Sequence, residues 1–170
     1  MGEVYSYQYI DALHCTESAK EQVARFLKHI GKRSLCNIRY DPEGSGGYAA
    51  GVVRTLEYYD YKDVKKRTGF GATNQSKASA MLANKRPVYL DGSDFHNGGG
   101  HAWVIDGEWN GYFHCNWGWS GKWDGFYAKH NYFPISSRAY VENGIDPNTT
   151  DSDLGSGNYD WNFRIVTYSY

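Results

Sequence analysis

The sequence predicts an α+β fold in which helices come first and a twisted antiparallel sheet follows. Three observations predict it. Apolar residues recur at helical spacing through the first half of the chain. Short aromatic and branched runs, bounded by glycine or polar turns, fill the second half. The composition joins 16 Tyr, 6 Trp and 20 Gly to only 2 Met, which suits sheets and irregular loops better than a helical bundle.

Residues 1–15 are Tyr-rich and show no period. Ser18-Ala19-Lys20-Glu21 reads as a capping box, with Glu three residues after the cap. Val23, Phe26, Leu27 and Ile30 then share one helical face, and Gly31 is a natural stop. Cys36 to Tyr40 reads as a short strand, followed by the glycine-rich loop Asp41 to Gly47. Helical spacing returns from Tyr48 to Tyr59 through Val52, Val53 and Leu56, and a third short helix is expected over Ser76 to Asn84. Pro87 ends it and Val88-Tyr89-Leu90 is the next strand. His101 to Gly107 is strand-like, Asn110-Gly111 is a turn signal, and Tyr112 to Trp117 is the returning strand of a hairpin. Phe126-Tyr127 and Phe163 to Tyr168 are further strands, and residues 138–159 are expected to form a long surface loop.

With 170 residues the chain fits one domain, 1–170, able to bury a core of its own. Eighteen Lys and Arg balance nineteen Asp and Glu, so no basic excess draws a nucleic-acid backbone or an acidic membrane. No apolar run approaches a membrane span, and the opening residues lack the regions of a signal peptide. Three cysteines, Cys15, Cys36 and Cys115, make no disulfide framework.

The chemistry concentrates in the hairpin. A register pairing residues whose numbers sum to 217 sets His101 opposite Asn116 and Trp103 opposite His114. A carboxamide beside an imidazole fixes the tautomer and leaves the other ring nitrogen as a base. A one-residue slip turns the two side chains to opposite faces. The plainer alternative is a strand-end histidine satisfied locally. His114 reads as structural, and no ligand set is spaced to hold a metal with it, so no metal or cofactor is expected.

Gly99-Gly100-His101-Ala102-Trp103-Val104-Ile105-Asp106-Gly107, followed by Tyr112-Phe113-His114-Cys115-Asn116-Trp117-Gly118-Trp119-Ser120-Gly121, resembles the streptopain family of bacterial cysteine peptidases. Trp123-Asp124-Gly125-Phe126-Tyr127 and Pro87-Val88-Tyr89 extend the resemblance, as does Gly44-Ser45-Gly46-Gly47. It covers roughly residues 16–135 and the final strand. It implies a papain-like fold, a peptide or protein substrate, and a secreted or periplasmic setting. It makes His101 the general base, with Asn116 and Trp117 orienting or shielding its ring. Trp119 would wall the leaving-group side of the cleft, and Ser45 and Gly100 would contact the substrate backbone.

Family members take their thiol from a Gly-Cys-Val-Ala-like motif at the start of a buried helix, and this sequence has no such motif. Cys36 has no helix start behind it, and Cys115 points away from the face of Asn116. Cys15 lies just ahead of the first helix, where a thiol's pKa is lowered, but the resemblance places that helix after the catalytic one. The chain is therefore expected to be the histidine-bearing part of a peptidase, inactive alone. A propeptide, an inhibitor or an N-terminal half would then be its partner. The alternative is a non-catalytic peptide- or inhibitor-binding module.

Overall fold

The computed structural model describes residues 17–41, 44–95, 98–119, 121, 123–129, 132, 138–141 and 159–170. The described residues group into two compact units, one running up to Lys62 with Tyr170 and the other Asp63–Ser169.

In the first unit α1 (Glu17–Ile30) and α2 (Ala49–Tyr58) match the two helical spacings. Helix α1 begins one residue before Ser18, so Ser18 sits in its first turn rather than capping it. Where a strand was expected over Cys36 to Tyr40, there is a turn and one bridge, Arg39 with Gly46. Gly51 is required on α2, because a Cβ there would lie 2.2 Å from the carbonyl oxygen of Cys36. Thr55 Oγ1 donates to Gly51 O at 2.9 Å and lies 3.0 Å from Cys36 Sγ.

The second unit is a sheet of order β1-β7-β2-β3-β4-β5-β6, with one helix packed on it. The strands are β1 (Lys62–Thr68), β2 (Val88–Asp94), β3 (Gly100–Trp109), β4 (Tyr112–Asn116), β5 (Gly125–Ala128), β6 (Arg138–Val141) and β7 (Tyr159–Ser169). From β2 to β6, and between β2 and β7, all pairing is antiparallel. This is the α+β architecture the sequence predicts, of the papain-like kind. The helix α3 (Ala72–Ala83) starts four residues before the expected Ser76. Its Ala78 and Met81 meet Val88, Leu90, Trp103, Ile105 and Phe113 in one core. Each large apolar side chain buried there contributes roughly 1.5–3 kcal/mol. The expected surface loop 138–159 begins instead as strand β6, and residues 142–158 lie outside the described set, as do residues 1–15.

The hairpin register differs from the expected one, and its turn gives the reason. Asn110 and Gly111 both have positive φ, 49° and 83°, the conformation of a two-residue hairpin turn. That turn pairs Trp109 with Tyr112, a sum of 221. An irregularity at Asp106 then brings Val104 opposite Asn116. The pair sum there is 220, three away from 217, and an odd displacement exchanges the faces. Asn116 is accordingly exposed, whereas Cys115 is buried on the face that carries Trp103 and Ile105.

Candidate active site

His101 stands near the start of β3, where Gly92 of β2 is its neighbour in register. Gly98 and Gly99, with φ of 71° and 84°, turn the chain into the strand, and Asp94 N–H donates to Gly99 O at 3.2 Å to close that turn. The imidazole is half-buried among aromatic rings. Trp119 lies 4.5 Å away by ring centroids, Tyr159 5.5 Å, Trp117 6.0 Å and Trp103 6.5 Å, the last nearly parallel at 9°.

The polar contact of the ring is His101 Nε2 with the backbone carbonyl of Trp117 at 2.8 Å. A carbonyl only accepts, so Nε2 carries the proton and donates it. In the neutral ring Nδ1 then holds the lone pair. Burial lowers the His101 pKa below its ordinary value, partly offset by that bond to Trp117, which favours the charged ring. At neutral pH the group is a neutral base with its tautomer fixed.

The orienting acceptor is thus the main chain of Trp117, not the carboxamide of Asn116. Asn116 Oδ1 accepts from Gly118 N–H at 3.0 Å, holding the turn that follows β4, and lies on the face away from His101. The Trp117 indole is 1% exposed and stacks between Trp103, at 4.7 Å, and Trp119, at 5.6 Å. Trp117 therefore meets the ring twice, through its carbonyl and through its indole. Trp119 is half-buried against the ring, and Gly100, one residue before His101, is exposed. Ser45 belongs to the first unit, exposed on the loop closed by the Arg39–Gly46 bridge. A recess of about 480 Å³ in that unit is lined by Asn37, Ile38, Arg39, Gly46, Gly47 and Tyr48.

Three residues of the site were not assigned to it from sequence. Tyr159 arrives from β7, fifty-eight positions away, and no local pattern announces it. Trp103, read as core alone, also stacks on the imidazole. Asp124 Oδ1 accepts from Trp117 N–H at 2.8 Å and so fixes the peptide whose neighbour carbonyl meets His101. The Trp123-Asp124-Gly125 motif contained that signal.

Two of the three cysteines fall among the described residues. Cys115 is fully buried in the core, and burial pushes its thiol well above the ordinary value. Cys36 is half-buried beside Thr55 in the first unit. Cys15 lies outside the described residues. His114 is engaged through Nδ1 with Asp106 at 2.5 Å, a structural contact across the hairpin. Among the described residues no group of three His, Cys, Asp or Glu gathers to hold a metal.

The sequence model of the peptidase C10 family matches residues 1–127. The chain belongs to the peptidase C10 family. It is 31% identical over 172 residues to the thiol protease/hemagglutinin PrtT of Porphyromonas gingivalis, an alignment covering 97% of this chain and 18% of that protein. It is 34% identical over 97 residues to a streptopain of Streptococcus pyogenes, covering 54% of this chain and 24% of the streptopain. The chain thus spans less than a quarter of the length of these curated relatives. No described helix is long and apolar enough to cross a membrane.

Proposed function

We propose that this chain supplies the general base and part of the substrate cleft of a cysteine-type endopeptidase, acting on peptide or protein substrates. The observation that carries this is the fixed tautomer of His101, with Nε2–H given to Trp117 O and Nδ1 left basic inside an aromatic enclosure. A neutral imidazole so held takes the proton of an attacking thiol at Nδ1. The thiolate adds to the peptide carbonyl, and the imidazolium returns the proton to the leaving amine. Water then hydrolyses the thioester with His101 again as base. Burial favours this neutral starting state. Gly100 and Ser45 contact the substrate backbone, and Trp119 walls the leaving-group side. Asn116 acts indirectly, by holding the turn after β4.

The thiol comes from outside this chain, so the chain alone is inactive. A setting outside the cytoplasm, secreted or periplasmic, belongs to the same proposal and rests on the family resemblance. The thiol-directed test is direct. A peptidyl probe reactive towards thiolates should leave the chain unlabelled when alone. Mixed with a cysteine-bearing N-terminal half, it should label that half, and His101→Ala should abolish the labelling. Labelling of the chain alone that is lost on Cys15→Ser would make Cys15 the nucleophile instead. Labelling of a reconstituted protein that ignores His101→Ala would end the base assignment. A second reading, a non-catalytic peptide- or inhibitor-binding module, is favoured by the sealed, pKa-raised state of Cys115. It predicts peptide binding with no labelling in any combination.

A further inference from the structure

The basic residues of the second unit are not spread evenly. From Val64 to Leu90 the chain carries six Lys and Arg and no Asp or Glu, although the whole chain balances 18 cations with 19 anions. Three of the six, Lys65, Lys66 and Arg67, are consecutive on β1, where Lys65 and Lys66 are exposed. None of the three makes an ion pair among the described residues, and Arg67 Nε has no acceptor there. The one acid of the strand, Asp63, is engaged by Ser169, whose hydroxyl donates to its Oδ2 at 2.9 Å. Next along β7, the Tyr168 hydroxyl donates to Pro87 O at 3.0 Å. The turn carrying Lys85 and Arg86 therefore stands at the end of the sheet where β1 begins, and adds to its positive field.

Strand β1 is also the outermost of the sheet, with β7 on one side and no described strand on the other. Five of its seven residues are exposed. Side chains alternate between faces along a strand, so Lys65 and Arg67 share one face and Lys66 takes the other. An outer edge presents main-chain N–H and C=O groups that no partner strand satisfies. Lysines on such an edge guard it against a second copy of itself, because pairing β1 with β1 sets like charges opposite one another. The same charges attract a strand of opposite sign. The open edge then narrows the choice of anion. A nucleic acid or a sulfated sugar meets the charges, but only a polypeptide brings peptide groups that pair with the strand. Strands β7 and β2 lie between β1 and the strand that carries His101.

We infer that the free edge of β1 binds an acidic polypeptide segment in extended form, which joins the sheet as a further strand. Main-chain hydrogen bonds to β1 hold the segment whatever its side chains. Glu or Asp set against Lys65, Lys66 and Arg67 decides which segment is taken. Exposed ion pairs are weak singly, so the row of cations acts as a group, and salt loosens it. The inference does not rest on the peptidase reading.

The experiment titrates blocked peptides as long as β1 into the whole chain by calorimetry. One has Glu at its centre and Val and Thr at its ends. A second has Lys in place of Glu, and a third is the Glu peptide with alternate amides N-methylated. The Glu peptide should bind and slow hydrogen exchange of the β1 amides, whereas the Lys peptide should not bind. N-methylation keeps the charge but removes strand donors, and should weaken binding about tenfold. Lys65→Glu with Lys66→Glu should weaken the Glu peptide about tenfold and admit the Lys peptide. Lys65→Arg with Lys66→Arg should bind as the parent does. Lys28→Glu with Arg33→Glu, the same charge change on exposed residues of the first unit, should leave binding unaltered, as should His101→Ala. Equal binding of the methylated peptide, the mark of a surface that takes any polyanion, overturns strand addition. Binding that ignores the reversal at Lys65 and Lys66, or no binding at all, overturns the inference outright. The peptide comparison needs no variant, so it decides even where a substitution disturbs the fold.

Discussion

Replacing Asn116 by Ala tests which acceptor holds the His101 ring. Read as a hairpin of pair sum 217, the sequence makes the carboxamide the orienting group, and its loss would free the imidazole to change tautomer. In the structure the side chain of Asn116 makes one exposed hydrogen bond, from Gly118 N–H at 3.0 Å, and faces away from His101. Losing a neutral, exposed bond of that kind costs roughly 0.5–1 kcal/mol. For a unit of this size that lowers Tm by about 2–6 °C. The ring of His101 should not notice, because its acceptor is the Trp117 carbonyl, which no side-chain substitution deletes. The assay is ¹⁵N-resolved NMR of the ring through a pH titration, with thermal unfolding beside it. Asn116→Ala should retain the Nε2–H tautomer and the parent titration midpoint while losing a few degrees of stability. A switch to Nδ1–H, or a displaced midpoint, would refute the reasoning.

Further outcomes follow from the same contacts. Because burial lowers the His101 pKa, the unfolded chain binds its proton more readily than the folded one below about pH 6.5. Stability should therefore fall as pH drops through that value and be insensitive to this residue above it, and His101→Gln should remove that component of a urea-unfolding pH series. Asp124→Ala, which strips the acceptor from Trp117 N–H, should cost about 1–2 kcal/mol and broaden the His101 ring signals, with Asp124→Asn recovering most of both. Lys129 bridges Glu108 and Ser79 and lies 4.4 Å from the centre of the Phe113 ring. Burial pushes the Glu108 carboxyl up, but hydrogen bonds from Lys129 and Ser79 and the Lys129 charge outweigh it and hold it below the usual value. A double-mutant cycle on Lys129→Met and Glu108→Gln should return a coupling of about 0.5–1 kcal/mol that vanishes in acid as the carboxylate is protonated. Finally, an aqueous thiol dye should modify Cys36 in the folded protein and leave Cys115, which is 0% exposed, untouched until urea opens the core.

What the sequence made legible follows the physics of each element. The 3.6-residue spacing through Val23, Phe26, Leu27 and Ile30, and through Val52, Val53 and Leu56, located two helices to within about a residue at each end. Asn110-Gly111 announced the hairpin, yet that same turn contradicts the pairing assumed for it. Register depends on turn type and on the irregularity at Asp106, and neither shows in the apolar pattern. Strand β1, Lys-Asp-Val-Lys-Lys-Arg-Thr, escaped notice because its charged residues suit a sheet edge and mimic a loop. His101, Trp117 and Trp119 were found together because one motif carries them. Tyr159 was not, since only the three-dimensional pairing of β7 brings it there.

Strand β7, last in the chain, lies between β1 and β2. During synthesis those two strands have no neighbour to join them until residues 159–169 leave the ribosome, and the imidazole lacks Tyr159 until the same moment. Such long-range closure is slow compared with local hairpins. The surroundings of His101 are thus complete only once that closure is made, so a folding chain carries the histidine before its neighbours are in place.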